Sequence, residues 1–207
     1  FAQGAAAMYG VWVEDKGGKR FVNELANRKV RSDAIMVYLN KGGHCYAVAD
    51  SVGTHPMTVS RPGMLEKMLE RKCVRKYETL EALAAGEKIN LEGLEASVAE
   101  WNKAVETGRD AHFGRYVNKH ARPMGQGPWY VSEMVPKVHH CMGGIYTDMR
   151  AQAMDIEGDR PIPGLYAAGE ATGGVHGAVR LGSCAVTDCI VYGRIAGREV
   201  AKEKPWC

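Results

Sequence analysis

The sequence predicts an α+β chain in which helices and short strands are mixed, and three observations carry that prediction. Leu91, Leu94, Val98, Trp101 and Val105 recur at alternating steps of three and four, the period of an amphipathic helix. Residues 9–14 alternate apolar and polar side chains as a strand does, and the glycines of the turn at 15–18 let residues 19–23 return beside it. Residues 164–194 read as a strand, a glycine-rich loop and the start of a long helix.

In chain order, Ser32 is a plausible N-cap for a short helix through Leu39, stopped by Gly42 and Gly43. Residues 44–49 form a second strand. Residues 62–72 enter a helix at Pro62 and put Met64, Leu65, Met68 and Leu69 on one face. Residues 79–85 make a short capped helix ended by Gly86, and Asn90 and Gly108 bracket the amphipathic helix. Residues 109–126 are polar and basic and read as a surface loop, with His112 and His120 solvated. Strand character returns at 128–138, and short strands at 144–147 and 165–168 flank an acidic connection holding Asp155, Glu157 and Asp159. A final helix runs over 185–201.

With 45% apolar and 25% charged residues, 207 residues are enough to bury a core and are not disordered. A net charge of +3 gives no argument for a nucleic-acid partner and mildly suits an anionic substrate. No apolar run is long enough to cross a bilayer. The six cysteines (45, 73, 141, 184, 189, 207) have no C-x-x-C spacing, so neither a zinc cage nor a haem attachment is expected; they read as buried thiols. The chain opens at Phe1 without an initiating Met and so reads as a fragment or a processed chain.

The glycine-rich stretch invites chemistry. Gly173, Gly174, Gly177 and Gly182 share residues 170–183 with Glu170, His176 and Arg180. Such density lets backbone approach something flat or phosphorylated, and the helix that follows offers free N–H groups to an anion. A flexible loop ahead of a core helix is the alternative reading of the same spacing.

The wording of three separated motifs goes further. PGLYAAGE-TGG-HGA-RLG followed by YGR-AG, HHCMGG at 139–144 and GGKRFVNELANR at 17–28 stand in one order. Together they resemble the C-terminal part of the fumarate reductase and succinate dehydrogenase flavoprotein family, most of all its soluble flavocytochrome branch. The resemblance runs from about residue 10 to about residue 197, with a weakly matching middle. It implies a substrate-capping (clamp) domain over residues 1–137. Residues 138–207 would be the C-terminal strand–loop–helix segment of an FAD-binding α/β domain, with the boundary near Lys137. No strand followed by G-x-G-x-x-G occurs here, and in the family that pyrophosphate cradle lies far upstream. The implied protein therefore has an N-terminal FAD-binding half, or a companion chain, outside this sequence.

The implied activity is FAD-dependent reduction of the C=C bond of an unsaturated (di)carboxylate, fumarate to succinate by default. Urocanate, methacrylate, the reverse dehydrogenation and a non-catalytic fragment are the alternatives, and the electron donor would be a haem or iron–sulfur protein. The compartment stays open between bacterial periplasm and cytoplasm. Reduction needs a hydride on one carbon and a proton on the other, and fixed cationic donors stabilise the charge that builds on the substrate carboxylate. By resemblance Arg180 and His139 hold that carboxylate and Arg28 donates the proton. Glu170 binds the FAD ribose hydroxyls, Gly173 and Gly174 let backbone approach the flavin, and Ser183, Cys184, Ala185 and Val186 turn amides to its pyrimidine edge. No metal site is implied. Two departures stand out. The family's Glu and Arg that reload the proton donor fall on Gly4 and Ala7, and GGNA and GANR of the family are GSCA and GAVR here.

Overall fold

The computed structural model describes residues 1–204. Two compact units divide the chain, Phe1–Pro136 and Lys137–Cys207. Among the described residues no helix is long and apolar enough to cross a membrane.

The first unit is built on a four-stranded antiparallel sheet in the order β1-β2-β4-β3. The strands are β1 (Val11–Glu14), β2 (Cys45–Asp50), β3 (Arg75–Tyr77) and β4 (Trp129–Glu133). Both faces are covered, so β1 and β2 are buried at every position rather than on one face only. The period of two survives in what each side chain meets. Val11, Val13, Tyr46 and Val48 join one core with Leu83, Leu94 and Trp101. Trp12, Cys45, Ala47 and Ala49 join the other with Ile35, Met57 and Leu65. The first core is supplied by α5 (Leu80–Glu87) and α6 (Leu91–Thr107); the second by α2 (Arg28–Leu39), α3 (Ser51–Ser60) and α4 (Met64–Glu70). A π-helical turn, Ala2–Ala6, and α1 (Ala7–Tyr9) bring Ala5, Ala6 and Ala7 into the second core.

The caps decide most helix starts. Asn90 accepts the Gly93 N–H at 2.9 Å and Gly108 ends α6 at φ 71°, as the sequence predicts. Helix α2 starts at Arg28, four residues ahead of the expected Ser32 cap, because Asn27 accepts the Val30 N–H at 3.0 Å. Pro62 stays outside α4, which follows Gly63 at φ 74°. Helix α5 runs through Gly86 to Glu87 and stops at Lys88, φ 58°. Residues 19–23 make one bridge, Val13 to Arg20, and not a strand.

That departure has a cause. Arg20 leaves the ladder for a buried ionic knot. Its guanidinium bonds Glu24 at 2.9 and 2.8 Å and Asp110 at 2.8 Å. Arg115 lies 3.2 Å from Glu24, donates to the Gly10 carbonyl at 2.8 Å and stacks on Trp101. The stretch 109–126 is therefore irregular but anchored, which corrects its reading as a surface loop. Asp110 and Arg115 are 3% and 2% exposed, while His112 and His120 are exposed. Asp50 fastens the far end of the stretch: it caps α3 through Gly53 and accepts the Gly125 and Gln126 amides.

In the second unit β5 (Gln152–Met154) and β6 (Pro161–Tyr166) form an antiparallel hairpin, where the sequence suggests a strand at 165–168. The expected strand at 144–147 is reduced to two bridges, Ile145 to Thr172 and Thr147 to Ala153. A 3-10 turn, Gly169–Ala171, leads through the glycine-rich loop into α7 (Cys184–Val200). All the cysteines are expected to be buried, but among the described residues only Cys45 is, and burial pushes its thiol up to about 12. Cys73, Cys141 and Cys189 are exposed, Cys184 is half-buried, and Cys207 lies outside the described residues.

Candidate functional site

Two of the three motifs are laced together by backbone in the second unit. The Ile145 N–H donates to the Ala171 carbonyl at 2.9 Å, and the Gly173 N–H donates to the Ile145 carbonyl at 3.0 Å. The approach is close enough to require glycine. A Cβ on Gly144 would lie 2.4 Å from the Ala171 oxygen, and one on Gly173 2.7 Å from the Gly144 nitrogen. Gly144→Ala is therefore expected to cost about 1–3 kcal/mol, the usual range for overpacking. The loss is checked by a lower thermal midpoint and faster amide exchange at Ile145 and Gly173.

Glu170 sits where the motifs meet. Its Oε1 accepts the Cys141 N–H at 2.9 Å, and its Oε2 lies 3.4 Å from His140 Nδ1. The Cys141 amide holds this carboxyl below the usual range, and the charges of His140, Arg180 and His139 act in the same direction. Glu170, His139 and Arg180, all singled out by sequence, thus share one electrostatic neighbourhood. His139 is exposed, whereas the His140 side chain is only 5% exposed and committed to Glu170. The pair of histidines is divided into one free ring and one held ring. Sequence reasoning weighs both histidines and prefers His139; it gives no sign that His140 is the one paired with Glu170.

Arg180 is not the surface residue its loop context suggests. It is 7% exposed, its Nη1 donates to the Leu181 carbonyl at 2.8 Å, and its Nε finds no partner. Three residues on, Ser183 adopts φ 69° and heads α7 with no side-chain cap. Ala185 and Val186 lie in the first turn of that helix, at its positive end. The Cys184 amide reaches back to Leu181 at 3.4 Å.

Arg28 belongs to the first unit. It is the first residue of α2, exposed, and has no ion pair or hydrogen bond among the described residues. Its neighbour Arg31 is anchored instead: it stacks over Trp12 at 5.4 Å and donates to the Glu24 carbonyl at 3.2 Å. Burial and the Arg28 charge lower the Arg31 pKa. Glu24 is fully buried in the ionic knot. The shared motif at 17–28 is therefore of two kinds: Arg20 and Glu24 hold the unit together, and Arg28 is left free. Positions 4 and 7 lie in the N-terminal helical turns with no titratable side chain.

A family model described as FAD binding domain matches residues 1–186. The chain belongs to the FAD binding domain family. Among curated relatives of this FAD binding domain chain, the acrylate reductase flavoprotein subunit of Shewanella woodyi is 36% identical over 186 residues, covering 87% of this chain and 35% of its own length. The fumarate reductase (cytochrome) of Shewanella frigidimarina is 37% identical over 193 residues, covering 93% and 32%. The open conformation of a flavocytochrome c3 fumarate reductase aligns with a TM-score of 0.68 at 34% identity, over 98% of this chain and 34% of that one. The chain thus spans about one third of the length of these relatives. FAD fits the residues present: an uncapped helix N-terminus, a buried guanidinium nitrogen without a partner and an exposed carboxylate converge on the glycine-rich loop.

Proposed function

We propose that the chain supplies the substrate-capping domain (residues 1–137) and the returning segment (residues 138–207) of an FAD-dependent reductase. Its substrate is the C=C bond of an unsaturated carboxylate, with fumarate as the default. The observation that supports this best is the neighbourhood of Glu170, His139 and Arg180 just ahead of the bare start of α7. FAD, when bound, supplies the hydride and is recharged by a haem or iron–sulfur donor.

In this reading His139 and Arg180 hold one substrate carboxylate. Arg180, already stripped of water, loses little further solvation when an anion arrives, and its unpartnered Nε is a donor in waiting. Glu170 keeps its charge, accepts ribose hydroxyls and steadies His140 from the other side. By resemblance Arg28 delivers the proton to the second alkene carbon; its exposed guanidinium has no ion pair among the described residues. The upstream half of the FAD domain, or a companion chain, covers the exposed Ile162, Leu165, Val186 and Ile190 of the second unit.

A second reading keeps the chemistry and changes the substrate. Gly4 and Ala7 carry no titratable group, so Arg28 is reloaded differently from the family's proton donor, and the substrate need not be fumarate. One relative carries the name acrylate reductase, and urocanate and methacrylate are further candidates.

Purifying the full-length protein tests the cofactor first. Flavin absorption at close to one FAD per protein is the expected result. Folded, colourless protein that takes up no FAD overturns the reading in favour of a non-catalytic module.

A further inference from the structure

Helix α7 buries a single residue in the second unit, and that residue is a carboxylate, Asp188, 6% exposed. Apolar residues of the same helix, Val186 and Ile190, are 65% and 57% exposed. An ionised side chain is costly to bury unless it is paired. The partner of Asp188 is His176, whose Nε2 lies 3.2 Å from Asp188 Oδ2; the two side chains are 13% and 3% exposed. The approach is close but off the hydrogen-bond axis, and Asp188 Oδ1 has no partner. The His176 ring stands edge-on to His140, centroids 5.3 Å apart at 73°. His140 in turn reaches Glu170.

The place of His176 in the loop gives the pair its meaning. The loop is pinned at Gly173 by the Ile145 carbonyl and ends where α7 begins. Between those points Gly174 (φ 95°) and Gly177 (φ 57°) flank His176, and a Cβ on either would meet nothing within 4 Å. Two unobstructed glycines leave the backbone free to hinge, so the side chain between them sets the path of the chain to Arg180.

We infer that His176 and Asp188 are positioning residues: the buried carboxylate on α7 fixes the His176 ring, and the ring fixes the loop that carries Arg180 against His140. The inference rests on the carboxylate-binding role given above to His139 and Arg180. It adds two residues to that site that touch neither the substrate nor the flavin.

The test uses the full-length flavoprotein with malonate as a non-reacting dicarboxylate, its Kd read from the change in flavin absorbance. His176→Ala and Asp188→Ala are each expected to weaken malonate about tenfold, as loss of about 1.4 kcal/mol does. The double variant is expected to be no weaker than either single one, because the two act as a unit. Asp188→Asn, which keeps the shape and an acceptor oxygen, is expected to restore most of the affinity. Flavin content and thermal midpoint are recorded for each variant. If Asp188→Ala sheds its flavin, flavin-loaded His176→Ala carries the test alone. Unchanged malonate affinity in flavin-loaded His176→Ala overturns the inference, as does additivity in the double variant. A wild-type protein that binds flavin but does not respond to malonate overturns the carboxylate site itself, and the positioning role falls with it.

Discussion

Arg28→Ala is expected to abolish enoate reduction while leaving the flavin in place. Loss of a positioned proton donor typically costs about 10²–10⁴ in rate. The fold leaves this guanidinium unengaged: Arg20 is consumed by the ionic knot and Arg31 by Trp12 and a backbone carbonyl. Because Arg28 is exposed and outside both cores, its removal is expected to change stability by less than about 0.5 kcal/mol. Steady-state turnover, flavin content and thermal midpoint measured together separate the two effects. Normal turnover in a flavin-loaded variant would mean that the proton comes from another group.

The largest expected effect on stability falls elsewhere, at Asp110→Ala. This carboxylate takes an ion pair from Arg20 at 2.8 Å and the amides of His112, Phe113 and Arg115. Removing it takes one of three carboxylates from the buried Arg20, which keeps Glu24 and Glu100, and unties the stretch after α6. Breaking one partner out of a buried ion pair costs about 3–5 kcal/mol, read as a fall in the urea midpoint of the first unit. Asp110 also sets an acid limit. Burial pushes its carboxyl up, but Arg20 and the amides of Phe113 and Arg115 outweigh burial and bring it to about 2. Its folded value is thus below its unfolded value, so the unfolded chain takes up the proton first as pH falls. The stabilisation is complete above the unfolded value near 3.8 and is lost as pH drops toward 2. Asp110→Ala is expected to flatten that part of the pH–stability curve.

What the sequence discloses follows from how local each signal is. Helix α6 is legible because its apolar period, its Asn90 cap and its Gly108 stop all lie within one stretch. Helix α3 is not, because Gly53 and Pro56 interrupt it and its start depends on Asp50, which a strand also claims. The stretch 109–126 looks like solvent-facing loop by composition. Its anchor is an ion pair to Arg20 across 90 positions, invisible to any local pattern. The site shows the same split. Motif wording singled out Glu170, His139 and Arg180, and the charges of the latter two help to hold the Glu170 carboxyl down. It singled out Arg28 from its motif but gave no sign that Arg20 and Glu24 hold the first unit together. Nor did it pick out Asp188, since an acid inside a helical pattern reads as solvated until the fold buries it.

Rapid mixing of the anaerobically reduced flavoprotein with fumarate tests the central reading most directly, because it needs no electron donor. Return of the oxidised flavin bands with formation of one succinate per flavin is the expected result, and acrylate or urocanate in fumarate's place ranks the substrates. Reduced flavin that stays reduced in the presence of every enoate tried would contradict the account, however well the protein binds FAD.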